Sequence, residues 1–258
     1  MPSTNVAPPP LPPGRLARYG AYQLRDYLVD RGLSLLVLAA LLFIPAIATM
    51  RAASPGAAPE DAERHLALVR GMLDATVSNL AFLGALFGIN GMVSDDRAKS
   101  YFRLLFAKPV SAPRYYAQAF VVSLVGVLIA LAVLLGALRL FVAPYFPPGA
   151  FAYYAIIYVA VGGIGFLASV LGRLDWLAMA AVWTTATVLR SLDWGALSAL
   201  KTPLTALLPP THLSGPVGQQ LLAGAAPPPL DVLWLAGYGA LAFALGLYLL
   251  RRRALGGS

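Results

Sequence analysis

The stretch Tyr116–Leu138, YAQAFVVSLVGVLIALAVLLGAL, runs for 23 residues without a charged side chain. As a helix rising 1.5 Å per residue it is about 34 Å long, enough to cross a hydrocarbon core of roughly 30 Å. Its apolar character is continuous. A barrel strand alternates apolar and polar residues over segments of about ten, so a helix, which satisfies its own backbone polar groups within lipid, is the expected form.

Similar runs lie on either side: Leu33–Thr49, Leu73–Val93, Phe151–Leu171, Trp176–Leu192 and Val232–Leu250. The sequence therefore predicts an all-α membrane protein with six transmembrane helices. The second run carries Asp74, Asn79 and Asn90, and the fifth carries Thr184, Thr185 and Thr187. With 59% hydrophobic and 12% charged residues, a water-soluble fold has too little polar surface to cover this chain. No cysteine is present, so disulfides and thiol chemistry are excluded and redox usage says nothing of the compartment.

Charge sets the expected orientation. An even number of spans places both termini on one side. That side holds 13 basic residues, in the N-terminal segment (Arg15, Arg18, Arg25, Arg31), the second-to-third loop, Arg173 and the Arg251–Arg253 cluster, against 6 on the other. Basic loops stay in the cytoplasm, so both termini are expected there. The same distribution accounts for the net charge of +8 without invoking nucleic acid, because basic residues beside spans contact anionic headgroups.

The spans organise the rest of the chain. Residues 1–14 are expected to form a disordered Pro-rich tail, and 15–32 an amphipathic interfacial helix with Leu16, Leu24 and Tyr27 opposite Arg18 and Arg25. The membrane domain then occupies 33–250, followed by a basic cytoplasmic tail at 251–258. Pro59 with Glu60, Asp61 and Glu63 resembles a helix start, which would begin the second helix well before the bilayer. The long connection Asp193–Asp231 is expected to hold short helices at or dipping into the outer face before span six.

The loop between spans two and three, GINGMVSDDRAKSYFRLLFAKPVSAPRYYAQAF, is the most informative hydrophilic stretch. Ser94 suits a helix N-cap, Asp95 and Lys99 are spaced for an i, i+4 pair, and Pro109 stops a helix at Lys108. Ala98, Tyr101, Phe102, Leu105 and Phe106 share one arc of such a helix, with Asp96, Lys99, Ser100 and Arg103 on another. A two-faced helix calls for a partner, either membrane headgroups or a groove on a cytoplasmic protein.

At Gly91–Tyr116 the chain resembles the permease subunits of ABC transporters of the type-2 exporter class. The residues that carry the resemblance are Asp95-Asp96-Arg97, Phe102-Arg103-Leu104-Leu105-Phe106, Lys108-Pro109-Val110-Ser111 and Arg114-Tyr115-Tyr116. The six-span topology also matches that family. It departs where many members have Gly-Thr-Leu and this chain has Lys99-Ser100-Tyr101, which points to a subgroup with different cargo. The resemblance implies a coupling helix in which Asp95, Asp96, Arg97, Tyr101, Phe102, Leu105, Lys108 and Pro109 contact an ATP-binding subunit. It further implies a second permease, either another copy of this chain or a paralogue, with ATP and magnesium held by the partner subunit, in a prokaryotic cytoplasmic membrane.

Other chemistry finds little support in the residues. The three lysines, Lys99, Lys108 and Lys201, follow Ala98, Ala107 and Leu200, so the Gly-Lys-Ser/Thr of a P-loop is absent and any ATPase belongs to another chain. His65 and His212 both fall in outer segments, away from any serine at membrane depth, which disfavours an intramembrane protease. No His and carboxylate cluster suggests a metal. A non-enzymatic scaffold or assembly protein is the main alternative to a permease, and it has no need of a capped, two-faced loop helix. Asn79, Asn90, Thr184, Thr185 and Thr187 are candidates for a transport path, since polar groups are costly in lipid. The same side chains also serve ordinary helix packing.

Overall fold

A computed structural model describes residues 13–51, 59–94, 96, 111–141, 145–172, 175–194, 201 and 204–252. The described residues form helices and connecting turns, without strands. In chain order the helices are α1 (Pro13–Tyr27), α2 (Leu33–Arg51), α3 (Pro59–Ile89), α4 (Ala112–Phe141), α5 (Gly149–Leu171), α6 (Asp175–Ser191), α7 (Ser214–Leu222) and α8 (Pro229–Arg252). A π-helical turn at Leu28–Gly32 joins α1 to α2, and a 3-10 turn at Thr211–Leu213 precedes α7.

Among the described residues, five helical stretches are long and apolar enough to cross a membrane: Gly20–Thr49, Glu63–Ile89, Ala112–Phe141, Gly149–Leu171 and Pro229–Arg252. The chain thus has the architecture of a multi-pass, all-helical membrane protein. Its outer surface agrees. Leu33, Val37, Leu41 and Ile44 on α2, and Val121, Val125, Ile129 and Val133 on α4, are exposed in stripes spaced three or four residues apart. In water such stripes would be a liability, whereas lipid solvates them. The sixth expected span corresponds to α6, whose 17 residues extend about 26 Å, a few ångströms less than a typical hydrocarbon core.

Contacts along the helices fix their directions. Gly20 lies against Gln118 and Val122, Tyr27 against Gly126, and Leu35 lines a shared cavity with Leu131. The first helical stretch therefore runs parallel to α4. In the same way Asp74 meets Tyr145, Gly88 meets Tyr158, and Val93 meets Ser169, so α3 runs parallel to α5. Gly239 against Val159 and Gly246 against Phe166 make α8 parallel to both. One end of the bundle consequently holds Gly20, the start of α4 and the ends of α3, α5 and α8. The outer connections lie at the other end. Between α5 and α8 the chain must return from the first end to the second, and α6 makes that return, passing Gly165 at Met179 and reaching the outer segment at Arg190.

α5 is the central helix. Its apolar stretch is 67% buried within the protein, against 17–44% for the other four. It packs most extensively on α8 and α3. Where α5 crosses α8, a Cβ added to Gly163 would fall on the carbonyl of Gly239, and one added to Gly239 would fall on Val159 and Ala160. The two backbones touch because neither position carries a side chain. Gly84 and Gly88 are used within the chain too, against Val127 and the ring of Tyr158.

Residues 15–32 fold as α1 and the π turn, which run on into α2 without a break from Pro13 to Arg51, with Pro45 accommodated inside α2. Gly126 supplies the recess that lets Tyr27, only 6% exposed, dock against α4. Span two ends at Ile89 rather than Val93, because Gly91 adopts φ 73° and closes the helix with a tight turn. Among the described residues five helices meet the length and hydropathy needed to span, and the sixth expected run falls on the shorter α6. The early start of α3 at Pro59 agrees with the sequence, as do the short helical elements before α8.

Candidate functional site

The candidate site is the end of the bundle from which the loop between α3 and α4 emerges. α3 closes through Asn90 and Met92, whose amides donate to Leu86 and Ile89 carbonyls at 2.9 and 3.0 Å. Arg31 Nη1 donates to the carbonyls of Phe87 and Gly88 at 3.2 and 3.3 Å. These carbonyls lie in the last turn of α3, where intrahelical donors run out and the helix dipole favours a cation.

Beyond the turn, the amides of Val93 and Ser94 both donate to Ser169 Oγ at 3.2 Å. Val93 and Ser169 are fully buried and Ser94 nearly so. Burial without these bonds would leave two amides unsatisfied, at about 1–3 kcal/mol each. At the far end of the loop, Tyr116 is fully buried on α4, donates to Asp96 Oδ2 at 3.1 Å, and places its ring 6.4 Å from that of Phe166 on α5. Both roots of the loop are therefore tied into the bundle.

Of the loop residues expected to contact an ATP-binding subunit, Asp96 is the one described, and its carboxylate is held by Tyr116. Asp95, Arg97, Tyr101, Phe102, Leu105, Lys108 and Pro109 lie outside the described residues. The span residues divide differently. Asn79 is exposed on α3, and Thr184, Thr185 and Thr187 are exposed on α6. The faces of these two helices adjoin where Phe82 meets Trp183, with ring centroids 5.8 Å apart. Thr187 Oγ1 donates to the carbonyl of Trp183 at 2.9 Å, the self-satisfying bond open to a helical threonine. Asn90 lies just past the end of α3. It occupies the turn after α3, about 16 Å along the axis from Asn79, and the structure does not bring the two together.

At the opposite end, polar contacts fasten the outer segments. Tyr145 donates to Asp74 Oδ1 at 2.6 Å, tying the α4–α5 connection to α3. Burial, reinforced by this bond and the Asp74 charge, pushes the Tyr145 phenol well above its ordinary pKa. Arg190 donates to the carbonyls of Thr205 and, at 3.0 Å, Leu208, while Tyr238 donates to that of Leu207 at 3.0 Å. His212 is held below the usual imidazole range by partial desolvation and the Arg190 cation, with Asp231 pulling the other way. These groups brace the outer connection. A cavity of about 10 Å³ between α2, α3, α4 and α5 is lined by leucines and alanines with Tyr154, and it has neither the size nor the convergent polar groups of a small-molecule site. Among the described residues no three His, Asp or Glu side chains gather as metal ligands.

Sequence reasoning had no purchase on Ser169, and it marked Tyr116 only as the start of a span and part of the Arg114-Tyr115-Tyr116 motif; their partners lie 75 and 20 residues away. Arg31 stood out only as a basic residue ahead of a span. What the fold and site define is a multi-pass helical membrane protein with a loop anchored at both roots. No family model, curated protein or solved structure matches the chain.

Proposed function

We propose that this chain is the permease subunit of an ATP-driven ABC transporter of the type-2 exporter class, with six spans and both termini in the cytoplasm of a prokaryotic cell. The loop 95–110 is its coupling segment, and ATP is hydrolysed by a separate subunit. The observation that carries this reading is the anchoring of both loop roots, at Ser94 on Ser169 and at Asp96 on Tyr116. A passive connector needs no such bonds, whereas a segment that receives force from a partner needs fixed ends. The basic residues gathered at this end and the missing P-loop agree with it.

The exposed faces of α3 and α6 suit a second copy. An exposed asparagine within a span faces lipid at a cost unless another helix covers it, and Asn79 lies one turn from Phe82, which meets Trp183 next to the threonines of α6. Together these faces would line a path for an amphiphilic or lipid-like cargo between two permeases. The natural chain has no cysteine, so Asn79→Cys introduces a single thiol with no background. Oxidation in membranes is expected to give a disulfide-linked dimer. Cross-linking no greater than that of Leu241→Cys, on an exposed face of α8, would remove the proposed interface.

The direct test is affinity purification of the tagged chain from its own cells in mild detergent, with mass spectrometry and ATP hydrolysis measured on the eluate. A stoichiometric P-loop protein whose hydrolysis depends on this chain is the expected result. Purification of the chain alone would overturn the transporter reading.

A further inference from the structure

We propose that Ser169 is a positioning residue that passes movement of the 95–110 loop to α5, and through α5 to the outer face. The inference rests on the coupling role proposed for that loop. It starts from the break at Gly91: because α3 closes there with a left-handed residue, its helix does not continue into the loop as a rigid lever. The chain that follows is instead hydrogen-bonded to another helix. One hydroxyl oxygen on α5 accepts from two successive loop-root amides, each at 3.2 Å, in a fully buried setting. The second root arrives at the same place, since Tyr116 both holds Asp96 and packs near Phe166, one helical turn from Ser169.

α5 is suited to carry what it receives. Ile89, just before the break, fits beside Gly162 and Gly165, and the backbones of Gly163 and Gly239 lock α5 to α8. At its outer end, Gly149 abuts the carbonyl of Leu221 on α7. A displacement at Ser169 therefore moves a braced 23-residue helix whose far end touches the outer elements. Rigid packed elements with few internal adjustments are the kind of structure that carries coupling between distant sites.

The experiment uses the full chain purified with its ATPase and reconstituted in nanodiscs. Spin labels at Leu207→Cys and Leu230→Cys, both exposed at the outer end, report the change in distance on adding ATP and vanadate. Ser169→Ala removes the acceptor and Ser169→Thr keeps it. The expected result is that all forms retain the ATPase, that Ser169→Ala lowers the thermal midpoint because two buried amides lose their acceptor, and that the distance response falls about fivefold in Ser169→Ala and is restored, with the midpoint, in Ser169→Thr. A wild-type response in Ser169→Ala overturns the inference and leaves the transporter reading standing. An equal loss in both variants, or the same loss in a chain destabilised elsewhere by Leu135→Ala, makes Ser169 a packing residue and also overturns it. Absence of any ATPase from the wild-type preparation removes the coupling reading, and this inference with it.

Discussion

Replacing Phe102 and Leu105 together with aspartate is expected to abolish co-purification of the ATP-binding subunit. The two side chains are three residues apart and share the apolar arc of the loop helix anticipated from sequence. A helix seated in a groove is held by such anchors, and a buried anchor typically contributes 2 kcal/mol or more. Losing two corresponds to about 4 kcal/mol, or roughly a thousandfold in affinity, before the cost of desolvating two new carboxylates is added. Ser100→Asp, on the polar arc, should leave the complex nearly intact. The measurement is the ratio of ATPase to permease in the eluate. Headgroups would give a different outcome: if the helix rests on lipid, the double variant weakens membrane contact but leaves that ratio unchanged. An unchanged ratio would therefore sink the coupling reading.

The spans were legible because lipid imposes one requirement, about 20 consecutive apolar residues, that a single sequence displays directly. The helix ends were not. Met92 and Val93 are apolar and buried, so hydropathy extends span two through them, although the helix has already closed at Gly91. Hydropathy reports the environment of a residue, not its backbone conformation. Arg15–Arg31 shows the converse limit. Its two-faced pattern suggests a helix lying on a surface, and at its end Tyr27 is covered by α4, through the contact with Gly126. An amphipathic pattern specifies that one face is covered, not what covers it. The site followed the same division. Loop residues were readable from local cap and stop signals, whereas the Ser169 hydroxyl looked like any small polar group near a helix end. Its importance comes from two amides that only the folded chain brings beside it.

Gly239→Ala and Gly237→Ala, two residues apart on α8, are expected to change stability in opposite directions. At Gly237 a Cβ would meet nothing within 4 Å. Alanine there gains helix propensity and should stabilise the chain by up to about 1 kcal/mol. At Gly239 the added Cβ falls on the carbonyl of Val159 and on Ala160, both backbone atoms of α5. Side chains can change rotamer to make room; a helix backbone cannot. The helices must separate, and helix association in a membrane depends largely on close packing, with no hydrophobic gain to offset its loss. Separation also disturbs the neighbouring contacts, including Phe166 with Phe243 at 4.7 Å and the ring of Phe166 against Gly246. A loss of about 3 kcal/mol is expected, at the upper end of ordinary overpacking. Unfolding of the two variants in mixed detergent micelles, monitored by circular dichroism, measures both effects against wild type. Equal shifts would mean that the α5–α8 contact is loose. In that case α5 would have no firm partner along its length, and a push at its loop end would be dissipated before reaching the outer face.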